Sequence, residues 1–190
     1  MTSVNGLPAH ILLVHAIVVL LPLAALLLVL TAVWPAARHR LAGPNAILSV
    51  VVVALVPLTT SAGEWLERRV PDSVLLRDHT ELGDSAIFYA VPIAVLALVI
   101  WWRNREGAAH DAAGNTSPGT GGTPVLTSRR TYLAPLSTTV TALLAVLAIV
   151  AAGAGVYGMY RIGDSGSKAA WTGNFSSTAT ERGPGGREHD

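Results

Sequence analysis

From Ile11 to Trp34 the chain reads ILLVHAIVVLLPLAALLLVLTAVW, an apolar run interrupted by His15 near its start and Pro22 in its middle. About 20 predominantly apolar residues suffice to cross a bilayer, so this run alone makes the chain a membrane protein. A cleaved leader is a poorer reading. No Lys or Arg precedes the run, and its apolar length exceeds the h-region of a signal peptide.

Three more apolar segments follow, at about 45–63, 83–102 and 132–160. Pro22, Pro57 and Pro92 lie inside spans, where neighbouring helices can satisfy the carbonyls that proline frees. Period-two alternation is absent, which argues against a transmembrane barrel. The expected fold is an all-α, four-helix membrane bundle over residues 1–171. The stretch 103–130 is rich in Gly, Ala, Thr and Pro and reads as a flexible linker. Residues 172–190 have the same character and read as a disordered tail.

Composition narrows the function classes. Only 13% of residues are charged, against roughly 25% in soluble domains. A net charge of +1 with dispersed basic residues gives no electrostatic footprint for nucleic acid. The absence of cysteine excludes thiolate metal sites, cysteine-ligated iron–sulfur clusters and covalent c-type haem. Arginine outnumbers lysine twelve to one beside abundant Ala, Val and Gly, a composition typical of high-GC bacteria.

Orientation follows from arginine placement. Arg38, Arg40, Arg103, Arg105, Arg129 and Arg130 follow spans one and three, whereas the segment before span one carries no basic residue. The positive-inside rule then places both termini outside, in a bacterial plasma membrane. Trp34, Trp101 and Trp102 fall in the inner aromatic belt, with Trp65, Tyr157 and Tyr160 towards the outer one.

Depth can be counted at 1.5 Å per helical residue. His15 lies nineteen residues from Trp34, about 28 Å, near the outer edge of a roughly 30 Å core. Nineteen residues from Asn45 reach Glu64 at a similar level. His79, twenty-three residues from Trp102, lies some 6 Å further out. His15, Glu64 and His79 are therefore the candidate haem or metal ligands. Gly83, Glu67, Tyr160 and Asp164 are the candidate surrounding residues. Ionisable groups at membrane depth are costly and often functional. The plainer alternatives are a neutral His15 hydrogen-bonded to another helix, a His79 within a charged helix entry where Asp78 or Thr80 caps, and an exposed Glu64–Arg68 pair. Gly83, Ala86 and Ala90 form a small-residue face beside His79, suited to close packing or to a flat cofactor.

His10 lies about 140° round the helix from His15, so the two cannot share a site unless the helix starts after His10; His39, His110 and His189 are set aside. Ala151 with Gly155, and Ala154 with Gly158, have the spacing of a helix-packing face. No G-x-S-x-G, P-loop or H-E-x-x-H motif is present. Ser165 in Gly-Asp-Ser-Gly lacks the partners of a serine protease.

NGLPAHILLVHAIVVLLPLAALL at 5–27, LTTSAGEWLE at 58–67, HTELGD at 79–84 and YRIGDSGSKAAW at 160–171 resemble the bacterial membrane proteins of domain-of-unknown-function family 2231. The resemblance covers nearly the whole chain apart from linker and tail. It implies four transmembrane helices, a first-helix histidine matching His15, a glycine-plus-acid motif matching Gly63 to Glu67, and a helix-entry histidine matching His79. The family's His-Pro is His10-Ile11 here, and its Gly-His-Ser-Gly is Gly163-Asp164-Ser165-Gly166. The family has no established activity, and a fused Rieske-type domain in some relatives suggests membrane redox chemistry. Two readings stand. One is a redox-associated subunit, partnered by other membrane or redox subunits, that binds b-type haem or a metal ion near the outer face. The other is a non-catalytic structural or accessory protein without a cofactor.

Overall fold

A computed structural model describes residues 3–4, 6–114, 133 and 137–175. A short antiparallel hairpin, β1 (Ser3–Val4) and β2 (Leu7–Pro8), turns at Gly6, whose φ of +80° suits glycine. The helices are α1 (Ala9–Val33), α2 (Pro35–Glu67), α3 (Val74–Asp84), α4 (Ala86–Gly114) and α5 (Thr138–Trp171). Among the described residues four segments are long and apolar enough to cross a membrane: α1, α2, α3 with α4 as Val74–Ala112, and α5. The chain is an all-α, multi-pass membrane protein.

Four element boundaries differ from the expected spans. The helix α2 begins at Pro35, not after Pro44, and contains Pro44 and Pro57. Proline is well tolerated as the first helical residue, and it forces Trp34 into an extended conformation (φ −116°, ψ 110°), so a single residue separates α1 from α2. The third span is broken at Ser85, whose Oγ donates to Leu82 O at 2.6 Å. The helix α4 continues to Gly114, so 103–114 is helix and not linker. The helix α5 continues past residue 160 to Trp171. Hydropathy marks where a helix leaves the apolar phase, and a helix need not stop there. Residues 115–130 of the expected linker, 132 and 134–136 at the start of the expected fourth span, and 176–190 of the expected tail lie outside the described residues.

The helices pack in the order α1, α2, α4, α5 around the bundle, with α1 and α4 also touching across it and α3 laid against α5 and α2. Most buried apolar side chains are alanines, among them Ala24, Ala25, Ala46, Ala90, Ala97 and Ala148. Large aliphatic and aromatic side chains point outwards instead, such as Val19 at 63% exposure and Phe88 at 75%. This distribution suits lipid, where small interfacial residues let backbones approach and bulky ones face the acyl chains.

Midway through the bundle an alanine Cβ at Gly155 would stand 2.8 Å from Ile93 Cδ1, and one at Gly158 only 2.4 Å from the Tyr89 ring. The two glycines thus seat α5 against α4. Asn45, fully buried at 0% exposure, ties α2 to α1. In the amide orientation its neighbours demand, its nitrogen donates to Ala24 O and its oxygen accepts from Leu28 N, both at 3.2 Å. Ser49 lies one turn further along α2.

Arginines organise the opposite end from the chain's N-terminus. Arg38 Nε donates to Thr31 O at 2.8 Å and its Nη2 to Ala32 O. These are among the last carbonyls of α1, which have no partner within the helix. Buried Arg103 donates to Leu133 O (2.8 Å), Ser137 O (3.4 Å) and Thr141 Oγ1 (3.3 Å).

Candidate functional site

At the other end of the bundle two histidines meet. His10 occupies the first turn of α1 and His79 the middle of α3, with ring centroids 6.5 Å apart and planes at 73°. His79 is placed by its own short helix, capped by Ser73, whose Oγ accepts from Leu76 N at 3.1 Å. The expected caps Asp78 and Thr80 lie within the helix, where the Thr80 hydroxyl donates to Arg77 O.

Glycines on two other helices make room for the rings. An alanine Cβ at Gly63 of α2 would stand 3.0 Å from His10 Nδ1 and Cε1. One at Gly166 of α5 would stand 2.9 Å from His79 Cε1. Four helices therefore contribute to this one layer.

The hydrogen bonds fix both tautomers. His10 Nδ1 lies 3.0 Å from Thr59 O, and a carbonyl can only accept, so Nδ1 carries the hydrogen. Ser165 Oγ donates to Ile162 O at 2.8 Å. Its hydrogen is thus committed, and it accepts from His79 Nδ1 at 3.0 Å. In the neutral state this assigns Nδ1–H to both rings, and no hydrogen bond to either Nε2 is made among the described residues. Metal-binding histidines characteristically donate their second ring N–H to a carbonyl or similar acceptor in this way.

The expected ligand trio is not brought together. His15 is exposed, and its Nδ1 donates to Ile11 O on its own helix at 2.6 Å. It stands over Val19 and Leu26, both exposed, on the face turned away from the bundle. Glu64 is exposed, and its carboxylate makes no ion pair or hydrogen bond among the described residues, so the expected Glu64–Arg68 pair is not formed; Arg69 covers Trp65, 3.8 Å above its ring. Among the described residues no three His, Asp or Glu side chains are grouped to hold a metal. Gly83 closes α3 with open space beside it, and Glu67 is the last residue of α2. Tyr160 and Asp164 line a shallow groove of about 460 Å³ with Val18 and Pro22 of α1, and Asp164 pairs with Lys168 at 2.6 Å.

His10, not the expected His15, is the histidine that faces inwards, and the angular separation of the two holds. The signal was the spacing of the residues that follow His10 along α1. Ile17, Leu21, Ala24, Leu28 and Thr31 are buried and follow His10 at helical intervals, whereas His15 heads the Val19–Leu26 row. Ser165 and Gly166 were the other residues missed. Comparison with family models, with curated proteins and with solved structures finds no match.

Proposed function

We propose that this multi-pass membrane protein binds a transition-metal ion between His10 and His79, as a redox-associated subunit of a membrane assembly. The observation that carries this reading is the pair of imidazole rings 6.5 Å apart, each with its Nδ1 bonded to an acceptor on another helix. Neutral imidazole suits zinc, copper, iron and nickel. With a metal–nitrogen distance of about 2.0–2.1 Å, a ring centroid sits about 3.2 Å from the ion. Two rings holding one ion would lie about 5.2 Å apart at a tetrahedral angle and about 6.4 Å apart when opposed, so the 6.5 Å separation here would take an ion with the rings opposed or after they close by about 1 Å. Water or a lipid-derived oxygen would complete the coordination.

A b-type haem suits the pair less well. Two axial imidazoles need a similar separation, but the macrocycle also needs a flat slot extending sideways between them. The backbones of α2 and α5 already lie against the rings at Gly63 and Gly166. The bound ion would supply the redox or Lewis-acid chemistry; the protein orients the rings and shields them within the helix ends.

The resemblance to family 2231 supports this placement, because four of its motifs converge on the pair: His10, the Gly63 segment, His79 and Ser165-Gly166. Arginine placement makes this end the outer face, with both termini outside. The second reading, a structural protein that binds nothing here, is favoured by the same Nδ1 bonds, since each also ties two helices together.

Isothermal titration and elemental analysis of the full chain in detergent, with zinc and copper salts, separate the two. The expected result is one ion per chain, lost in His10→Ala and His79→Ala and retained in His15→Ala. A wild-type chain that takes up no ion, or loss of binding in His15→Ala alone, overturns the metal reading. Weakened folding in the two histidine variants without any ion to lose would establish the structural one.

A further inference from the structure

The arginine end carries a second feature, independent of the histidine pair. An open groove of about 430 Å³ lies between the α1–α2 turn and the first turns of α5, lined by Ala32, Val33, Arg38, Thr138, Thr141 and Ala145 among others. Its floor is apolar and small. Its polar side chains are Arg38, Thr138 and Thr141, and among the described residues no carboxylate lines it.

The charge of this groove is positive. Arg38 uses Nε and Nη2 on the carbonyls of α1, and its Nη1 makes no hydrogen bond among the described residues. Thr141 Oγ1 donates to Ser137 O at 2.9 Å and accepts from Arg103, so a second guanidinium stands directly behind the groove wall. The nearby acid, Glu106, lies within electrostatic reach of Arg103 and accepts from Trp102 Nε1 at 3.0 Å and from Leu133 N at 3.1 Å, which leaves Arg38 as the charged side chain in the groove lining. The Thr138 hydroxyl is exposed at the mouth. Trp34 and Trp102, both exposed at this end, mark the level of the lipid headgroups.

We propose that this groove binds an anionic phospholipid of the phosphatidylglycerol type. Arg38 Nη1 and the Thr138 hydroxyl donate to the phosphate, and one acyl chain lies along Ala32, Val33 and Ala145. The chemistry fits at each point. A phosphate is the anion available at headgroup depth, guanidinium–phosphate hydrogen bonds are charge-assisted, and basic clefts between membrane helices hold anionic headgroups on the face where arginines collect. The apolar floor beside the charge selects a lipid over a free anion.

The test is native mass spectrometry of the full chain released from nanodiscs of equal phosphatidylglycerol and phosphatidylcholine, with thermal stability read in parallel. The wild type is expected to retain phosphatidylglycerol at least tenfold over phosphatidylcholine. Arg38→Gln should abolish that preference. Because Arg38 also holds the end of α1, Ala142→Trp is the second variant: it fills the groove from an exposed lining position and removes no hydrogen bond. It should lose the retained lipid while keeping its fold. Equal retention of the two lipids by the wild type, or undiminished phosphatidylglycerol in Ala142→Trp, overturns the proposal. So does equal stabilisation by inorganic phosphate alone, which would make the site one for a free anion.

Discussion

Gly158→Ala measures how closely α5 rests on α4. The added Cβ would stand 2.4, 2.6 and 2.7 Å from Cε2, Cζ and Cδ2 of Tyr89, where carbon atoms normally keep about 3.5–4.0 Å. The ring must therefore retreat by about 1 Å. Its retreat is not free, because the ring is half-buried and its own helix is held by Ala86, Ala90 and Ile93 in the core. Overpacking of this kind costs about 1–3 kcal/mol. Gly153→Ala is the internal control: it lies on the same helix, and its Cβ would meet nothing within 4 Å. The helix-propensity gain of alanine over glycine, about 0.5–1 kcal/mol, is common to both and cancels in the difference. Reversible unfolding in mixed micelles should thus place Gly158→Ala about 1–3 kcal/mol below Gly153→Ala. Equal stabilities would refute the close approach at this layer, and with it the seating of Tyr89 on α5.

Three further outcomes follow, two from buried polar groups and one from topology. Asn45→Ala should cost about 1–2 kcal/mol in the same unfolding assay, the range for interhelical hydrogen bonds in membranes. Ser49→Ala should be neutral or stabilising by up to about 1 kcal/mol, because Ser49 Oγ is buried with no described partner; a large loss there would mean the hydroxyl is engaged. The chain has no cysteine, so single cysteines report topology directly. In intact cells a membrane-impermeant maleimide should label Thr172→Cys and spare Arg40→Cys; the reverse pattern would invert the assigned orientation.

Much of the site was already present in the depth count. Counting from Trp102 puts His79 about 6 Å beyond His15, and His10 lies five residues, about 7.5 Å, beyond it as well. Level alone puts His10 beside His79, whereas the angle says only that His10 and His15 face different ways. The midbundle packing was legible too. Gly155 and Gly158 stood at small-residue spacing, and both prove to be points of close approach. Element boundaries were less legible, because hydropathy reports the phase around a helix and not the hydrogen bonding within it. Arg103 to Gly114 is polar and helical, and Pro35 starts a helix although the apolar run resumes only ten residues later.

The sequence by itself determined that four long apolar segments must satisfy their backbones as helices, since lipid offers no hydrogen bonds. It also determined that small residues would mark the faces on which they pack. Which histidine looks inwards was decided only by tertiary structure. Rotation of α1 about its axis is set by Ala24, Ala25 and Asn45 meeting their neighbours, and that rotation turns His10 towards His79 and His15 towards lipid. The Nδ1–H tautomers of the two rings were decided there as well, by a carbonyl on α2 and a serine on α5 far away in the chain.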